Sequence, residues 1–299
     1  MTSSAWTASD LPDLTGRTVV VTGANSGLGA VTAGELARVG AHVVLAVRDT
    51  ARGNAAAASM EGSTEVRRLD LADLSSIRAF AGDWQGPLDI LINNAGVMAV
   101  PERRTVDGFE MQIGTNHLGH FALTNLLLPH LTDRVVTVAS NAHRMVAEID
   151  FDDLNSTAGY NRWRAYGQSK LANLLFTLEL QRRLDATGRD VTAHAAHPGY
   201  SATNLQGHTT NKIEKVMMAV GNRLIAQRDA MGALPTLYAA TQSLAVASYT
   251  GPGGFKEWRG YPAPASRSAA ACDAESAKRL WEISERLTGV TFPAVPEVA

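Results

Sequence analysis

Thr18-Val19-Val20-Val21-Thr22-Gly23-Ala24-Asn25-Ser26-Gly27-Leu28-Gly29 decides how this chain is read. The first five residues are all β-branched and leave no polar face, the pattern of a strand buried by helices on both sides of a sheet. Three glycines follow in the spacing GxxxGxG, and then an Ala-rich stretch of helical character. Glycine permits a sharp turn and close approach of backbone N–H groups, which at a strand-to-helix junction stand at the positive end of the helix. A pyrophosphate is the ligand such a loop suits, with Gly23, Asn25, Ser26, Gly27, Leu28 and Gly29 around it. The spacing is not the familiar GxGxxG, so the argument rests on the loop's place after the first buried strand.

The same unit recurs along the chain. Apolar runs at Thr18–Thr22, His42–Val47, Thr64–Leu69, Leu88–Ile92, Arg134–Ala139 and Val191–Ala196 are each followed by Gly, Asn or Asp and then by a segment rich in Ala and Leu. Nearly continuous apolar runs imply parallel strands with right-handed helical crossovers, and so an α/β, three-layer, doubly wound Rossmann fold. A short seventh strand is expected near Phe255, giving a mainly parallel, seven-stranded sheet. Residues 1–15 read as a polar extension lying loosely on the surface, and 16–299 as one domain. Its C-terminal helix is expected near 273–288, with Asp273 as N-cap.

With 45% hydrophobic residues and 27 Lys+Arg against 29 Asp+Glu, the 299-residue chain is neither disordered nor strongly charged. Without a basic run, nucleic acid is not expected as a partner. The single Cys272 cannot close an intrachain disulfide and points to a reducing compartment. Met1-Thr2-Ser3-Ser4-Ala5-Trp6 does not read as a signal peptide, and no run approaches the ~20 apolar residues of a membrane span. A cytoplasmic protein without a membrane anchor is the expectation.

After the second strand the first charged residue is Arg48. An acidic group in this region would bind ribose hydroxyls, as for NAD, whereas Arg accommodates a 2′-phosphate. NADP is therefore the expected cofactor; Asp49 follows at once, and NAD stays the alternative. Asp70 and Leu71, at the end of the third strand, are placed to meet the adenine. His194 and His197 fall on opposite faces of a strand, and His117 and His120 have no acidic or Cys partner at ligand spacing, so no metal is expected.

Asn93-Asn94-Ala95-Gly96 follows the fourth strand, Gly114-Thr115-Asn116-His117 comes next, Ser140 follows the fifth strand, and Tyr166-Gly167-Gln168-Ser169-Lys170 and His197-Pro198-Gly199 come after it. With TGxxxGxG, these motifs resemble the short-chain dehydrogenase/reductase family, in order, across roughly residues 15 to 260. Ala46-Val47-Arg48-Asp49 and Thr115 to Phe121 are similar to its retinol-dehydrogenase-like and protochlorophyllide-reductase-like members. The resemblance implies a catalytic set of Asn116, Ser140, Tyr166 and Lys170, with Asn116 holding a water that links Lys170 to solvent. It also implies cofactor contacts from Asn94, Ala95, Gly96, Tyr166, Lys170, Pro198, Gly199 and Thr203. Pro198 and Gly199 are equally explained as backbone punctuation.

The chemistry stands on the residues too. Tyr166 and Lys170, four apart, share one helix face. A phenol near pKa 10 is a poor proton shuttle at pH 7, and an ammonium with the nicotinamide's positive charge would lower it by up to ~3 units. Tyr166 would then act as general acid/base, and Ser140 would donate a hydrogen bond to the substrate oxygen. The 26 positions between Ser140 and Tyr166 leave an insert, with Phe151, Leu154, Tyr160 and Trp163, expected to overhang the site. Residues 204–228, with Met217 and Met218, read as either a core helix or a lid over an apolar substrate, and Trp258 and Tyr261 are candidates for the pocket wall. An apolar aldehyde, ketone, retinoid or steroid-like substrate is expected. A non-catalytic redox sensor and a protochlorophyllide-type reductase are the alternatives. The family likeness suggests a homo-oligomer, although the C-terminal segment could block one interface.

Overall fold

The structure, a computed structural model, describes residues 5–199 and 229–293. Its eight strands lie in one sheet in the order β3-β2-β1-β4-β5-β6-β7-β8. They are β1 (Thr18–Thr22), β2 (His42–Val47), β3 (Ser63–Arg68), β4 (Leu88–Asn93), β5 (Leu131–Val138), β6 (Thr192–Ala196), β7 (Tyr249–Pro252) and β8 (Pro262–Pro264). The first seven pair in parallel, and β8 runs antiparallel to β7. The chain order reverses between β1 and β4, which opens a crevice beyond their carboxyl ends.

The helices are α1 (Gly27–Arg38), α2 (Thr50–Ala57), α3 (Leu74–Gly82), α4 (Gly119–Leu127), α5 (Arg162–Ala186), α6 (Asp229–Thr241) and α7 (Ala274–Thr288). Alternation in β1 sorts them onto two faces. Val19 and Val21 pack with Leu36 of α1 and with Leu234 and Leu237 of α6, whereas Val20 packs with Ile77, Phe121, Phe176 and Trp281 of α3, α4, α5 and α7. Both faces of the central strands are thereby dry, as their apolar runs require.

The sequence expectation for the third strand fails in one respect: Ser63–Arg68 is polar and only partly buried. It is the edge of the sheet, where Arg67 pairs with Glu65 at 2.7 Å and lies 4.8 Å over the Trp84 ring. The seventh strand lies a few residues before Phe255, which is itself 70% exposed. The eighth strand was hidden by its two prolines, which argue against a strand everywhere except at an edge.

Residues 5–15 are not loose. Thr7 and Asp10 form a capping box, Trp6 meets Tyr238 edge-on at 5.2 Å, and Leu11 and Leu14 join the apolar layer under α1 and α6. At the other end, Asp273 caps α7 by accepting from Glu275 N at 3.1 Å, as its sequence suggests, and Gly289 closes the helix at φ +60°. Trp281 of α7 stacks on Phe176 at 5.7 Å and meets Phe121 edge-on at 4.8 Å, so α7 covers part of α4 and α5. Among the described residues no helix is long and apolar enough to cross a membrane.

Candidate active site

The glycine loop lies at the crevice, and two of its glycines are required by contact. Gly23 has φ +67°, and a Cβ there would lie 2.9 Å from that of Ala95. At Gly29 a Cβ would lie 2.5 Å from Asn94 Nδ2 and 2.6 Å from Gly23 O. Helices α2, α3 and α5 are capped by Asp49, Asp73 and Asn161. Ser26, by contrast, gives the first turn of α1 no side-chain hydrogen bond. Its N–H groups remain available to an anion.

Arg48 is exposed just beyond β2, and Asp49 beside it is committed as N-cap, accepting from Arg52 N at 3.1 Å. Asp70 is partly buried and accepts from Ala72 N at 3.0 Å, while Leu71 is buried with its carbonyl against Gly119.

Thr22 fastens the loop Asn94-Ala95-Gly96 to β1. Its hydroxyl accepts from Asn94 N and Ala95 N, each at 2.9 Å, and Asn94 Nδ2 donates to Thr22 O at 2.8 Å. Asn116 lies in a π-helical turn, Gly114–Leu118, that leads into α4. Its amide donates to Val97 O and to Ser169 Oγ, both at 2.9 Å, and accepts from Val97 N at 2.8 Å. Gly96 fits between Asn116 and Lys170: a Cβ there would be 3.1 Å from Asn116 Oδ1 and 3.7 Å from Lys170 Nζ. His117 and His120, one turn apart, have separate partners, Ser284 at 2.9 Å for the first and Thr22 at 2.9 Å for the second.

Ser140, Tyr166 and Lys170 converge as their sequence positions suggest. Ser140 caps the turn Asn141–Met145, accepting from Ala142 N at 3.1 Å, and its hydroxyl acts on the Tyr166 phenol, favouring the phenolate. Lys170 stands one turn along α5 from Tyr166, with Nζ 5.7 Å from the phenol ring centroid and donating to Val138 O at 2.9 Å. Burial pushes the Tyr166 phenol up to about 12, with the Ser140 hydroxyl acting the other way. Burial likewise brings Lys170 down to about 8. Both groups lose solvation in the same buried site, which favours the neutral form of each.

His143 escaped the sequence reading. Its Nδ1 lies 2.7 Å from Ser140 O and its Nε2 accepts from Ser268 N at 3.2 Å, joining the Ser140 turn to the C-terminal segment. His197 is buried, accepts from Gly199 N at 3.2 Å and points Nε2 at the Glu257 carboxylate, 3.2 Å away. Gly199 is explained by its φ of +71° and by the Trp258 carbonyl, which a Cβ would meet at 2.5 Å. Thr203 and residues 204–228 lie outside the described residues.

The insert before Tyr166 is built differently from the expected overhang. Phe151 and Leu154 pack beside Ile149, Leu171 and Leu280, and Tyr160 donates to Val100 O at 2.8 Å. Only Trp163 keeps contact with the catalytic tyrosine candidate, ring edge to ring at 6.5 Å. With Met145, Phe151 and Arg164 it lines a groove of about 750 Å³. Trp258 and Tyr261 are partly exposed.

Residues 17–214 match the short chain dehydrogenase family. The chain belongs to that family. Human retinol dehydrogenase 13 is 45% identical over 299 residues, covering 94% of this chain and 87% of that protein. A crystal structure of an uncharacterized Mycobacterium paratuberculosis protein is 56% identical, with a TM-score of 0.84 over 97% of this chain and all of the other. A Beutenbergia cavernae chain named for NAD(P)-dependent gluconate 5-dehydrogenase, with NADP bound at low occupancy, is 27% identical, with a TM-score of 0.57 over 77% of this chain and 91% of its own. The family makes this chain a dehydrogenase or reductase of a small molecule's CH–OH or C=O group, using a nicotinamide cofactor. Its residues fit that cofactor: no side chain caps the first N–H groups of α1, and Gly23 and Gly29 let the loop close tightly against Ala95 and Asn94.

Proposed function

We propose that this short-chain dehydrogenase transfers a hydride between NADP(H) and an apolar carbonyl or alcohol, an aldehyde, ketone, retinoid or steroid-like compound. The convergence of Ser140, Tyr166 and Lys170 at the crevice carries the reading. NADP is favoured because Asp49, the acidic competitor, is spent on capping α2 while Arg48 stays exposed beside it. The retinol dehydrogenase relative supports an apolar substrate. Cys272, the sole cysteine, supports a cytoplasmic setting.

When bound, the nicotinamide supplies or accepts the hydride, and its oxidised form carries a positive charge. Glycines 23, 27 and 29, with the first turn of α1, would hold the pyrophosphate, and Asn94, Ala95 and Gly96 would flank the nicotinamide half. Ser140 donates a hydrogen bond to the substrate oxygen and stabilises charge there. Tyr166 Oη gives the proton to that oxygen in reduction and takes it in oxidation. Lys170, near pKa 8, is mostly protonated at neutral pH and favours the phenolate as it forms. The test is NADPH oxidation at 340 nm against apolar aldehydes and ketones, with NADH and Tyr166→Phe in parallel. Turnover that prefers NADPH and falls about 10²–10⁴-fold in the variant is expected. Equal turnover by Tyr166→Phe would remove Tyr166 from the reaction.

A further inference from the structure

We propose that His120 is a positioning residue: one neutral imidazole ties the carbonyl of Asn116 to the ends of β1 and β4 that face the nucleotide. The argument is a count of protons. Thr22 Oγ1 accepts the N–H groups of Asn94 and Ala95 at 2.9 Å each, which uses both of its lone pairs. Its own hydrogen must go elsewhere, and the acceptors in reach are His120 Nε2 at 2.9 Å and Ile92 O at 3.4 Å. The shorter contact makes Nε2 an acceptor. The proton of a neutral ring then sits on Nδ1, which lies 3.0 Å from Asn116 O and donates to it.

The ring has no room for a second proton. His120 is 1% exposed, and burial brings it down to about 4. The titratable groups facing it are Lys170, which opposes a further positive charge, and His117, which burial brings down to about 3 and leaves neutral. Asn116 lies in a π-helical turn, an irregularity that loosens the helix ladder and recurs at functional sites. The imidazole thus spans from the loop expected to flank the nicotinamide to the carbonyl of a residue packed on α5 beside Tyr166. A shift of Asn94 and Ala95 on nucleotide binding would pass through Thr22 and the ring to Asn116. This inference rests on reading the crevice as the hydride-transfer site.

Imidazole ¹⁵N NMR of the protein as isolated tests the tautomer directly. A protonated Nδ1, a bare Nε2 and no titration between about pH 8 and 5.5 are expected. Protonated Nε2, or a cation in that range, would overturn the proposal. Two variants then divide the ring's roles. His120→Asn keeps a donor near the Nδ1 position and gives up the Thr22 contact; His120→Gln keeps an acceptor near Nε2 and gives up the Asn116 contact. Losing one hydrogen bond, His120→Asn should weaken NADPH binding about fivefold to tenfold, read by fluorescence, while retaining the wild-type pH profile of kcat. His120→Gln should bind NADPH within about twofold of wild type but lower kcat about tenfold, with a displaced pH profile. Parallel losses of binding, kcat and Tm in both variants would mark a merely structural histidine and refute the proposal. If neither variant folds, the tautomer decides. If wild type reduces no carbonyl, the proposed function fails, whereas the tautomer and the NADPH dissociation constants still judge His120.

Discussion

Gly29→Ala and Gly34→Ala place the same methyl group in the same helix, and the structure gives them opposite signs. At Gly34 the added Cβ meets only Met60 Cγ, at an ordinary 3.6 Å. The change should therefore return the helix preference of alanine, about 0.5–1 kcal/mol. At Gly29 the same gain is opposed by Asn94 Nδ2 at 2.5 Å and Gly23 O at 2.6 Å, two atoms that cannot both yield. Crowding of this kind costs about 1–3 kcal/mol. Displacing Asn94 also gives up its 2.8 Å bond to Thr22 O, worth about 0.5–1.5 kcal/mol. The net is about 0.5–4 kcal/mol of destabilisation. An unfolding entropy of about 2 cal/mol/K per residue makes each kcal/mol about 1.6 °C in a chain of this size. Gly34→Ala should melt about 1–2 °C higher than wild type and Gly29→Ala about 1–6 °C lower. NADPH titration adds a second axis, with affinity at least about tenfold weaker in Gly29→Ala and unchanged in Gly34→Ala. Equal melting shifts in the two variants would refute the close-contact argument. A lowered Tm with normal NADPH affinity would reduce the glycine loop to a structural turn.

Other expectations follow from the same geometry. Arg48→Ala should cut the preference for NADPH over NADH by about 10-fold to 150-fold, the worth of a charge-assisted bond, and unchanged dissociation constants for both would exclude Arg48 from the 2′-phosphate. Trp281→Ala, which removes a ring stacked on Phe176 and a donor to Glu285, should lose about 3–5 kcal/mol in urea unfolding; a loss under 1 kcal/mol would mean α7 is not docked as described. Burial holds His117 to about 3 and His120 and His194 to about 4 in the fold. Their folded pKa values lie below the unfolded value near 6.5, so this stability is complete above pH 6.5 and drains away as pH falls toward 4. Each should cost about 1–2 kcal/mol by pH 5, and a Tm that is flat from pH 7 to 5 would contradict this.

The central strands and the catalytic candidates were legible because their constraints are local. Apolar runs announce strands buried on two faces, and Tyr166 and Lys170 need only helix periodicity to meet. Asp273 as a cap is equally local. What stayed hidden depends on position in the whole. The polar β3 and the proline-bearing β8 make sense only as sheet edges, and polar composition masked the apolar anchors Trp6, Leu11 and Leu14. Thr22, His120 and His143 gain their roles from partners 70 or more residues away or from loops whose path no spacing reveals. Spacing also says nothing of solvation, so the burial that raises the Tyr166 phenol and lowers Lys170 is visible only in the fold.

The outer edge of β8 has a consequence for how this molecule meets others. Ala265 N reaches Tyr249 O and Gly253 N reaches Tyr261 O, both at 2.8 Å, so the odd-numbered residues of this segment face β7. Pro262 and Pro264 fall on the outward positions, where an incoming strand would look for N–H donors and find none. At the opposite border, Glu65, Arg67 and Arg68 line β3 with charge. Among the described residues, missing donors on one border of the sheet and charge on the other disfavour strand-to-strand pairing between copies.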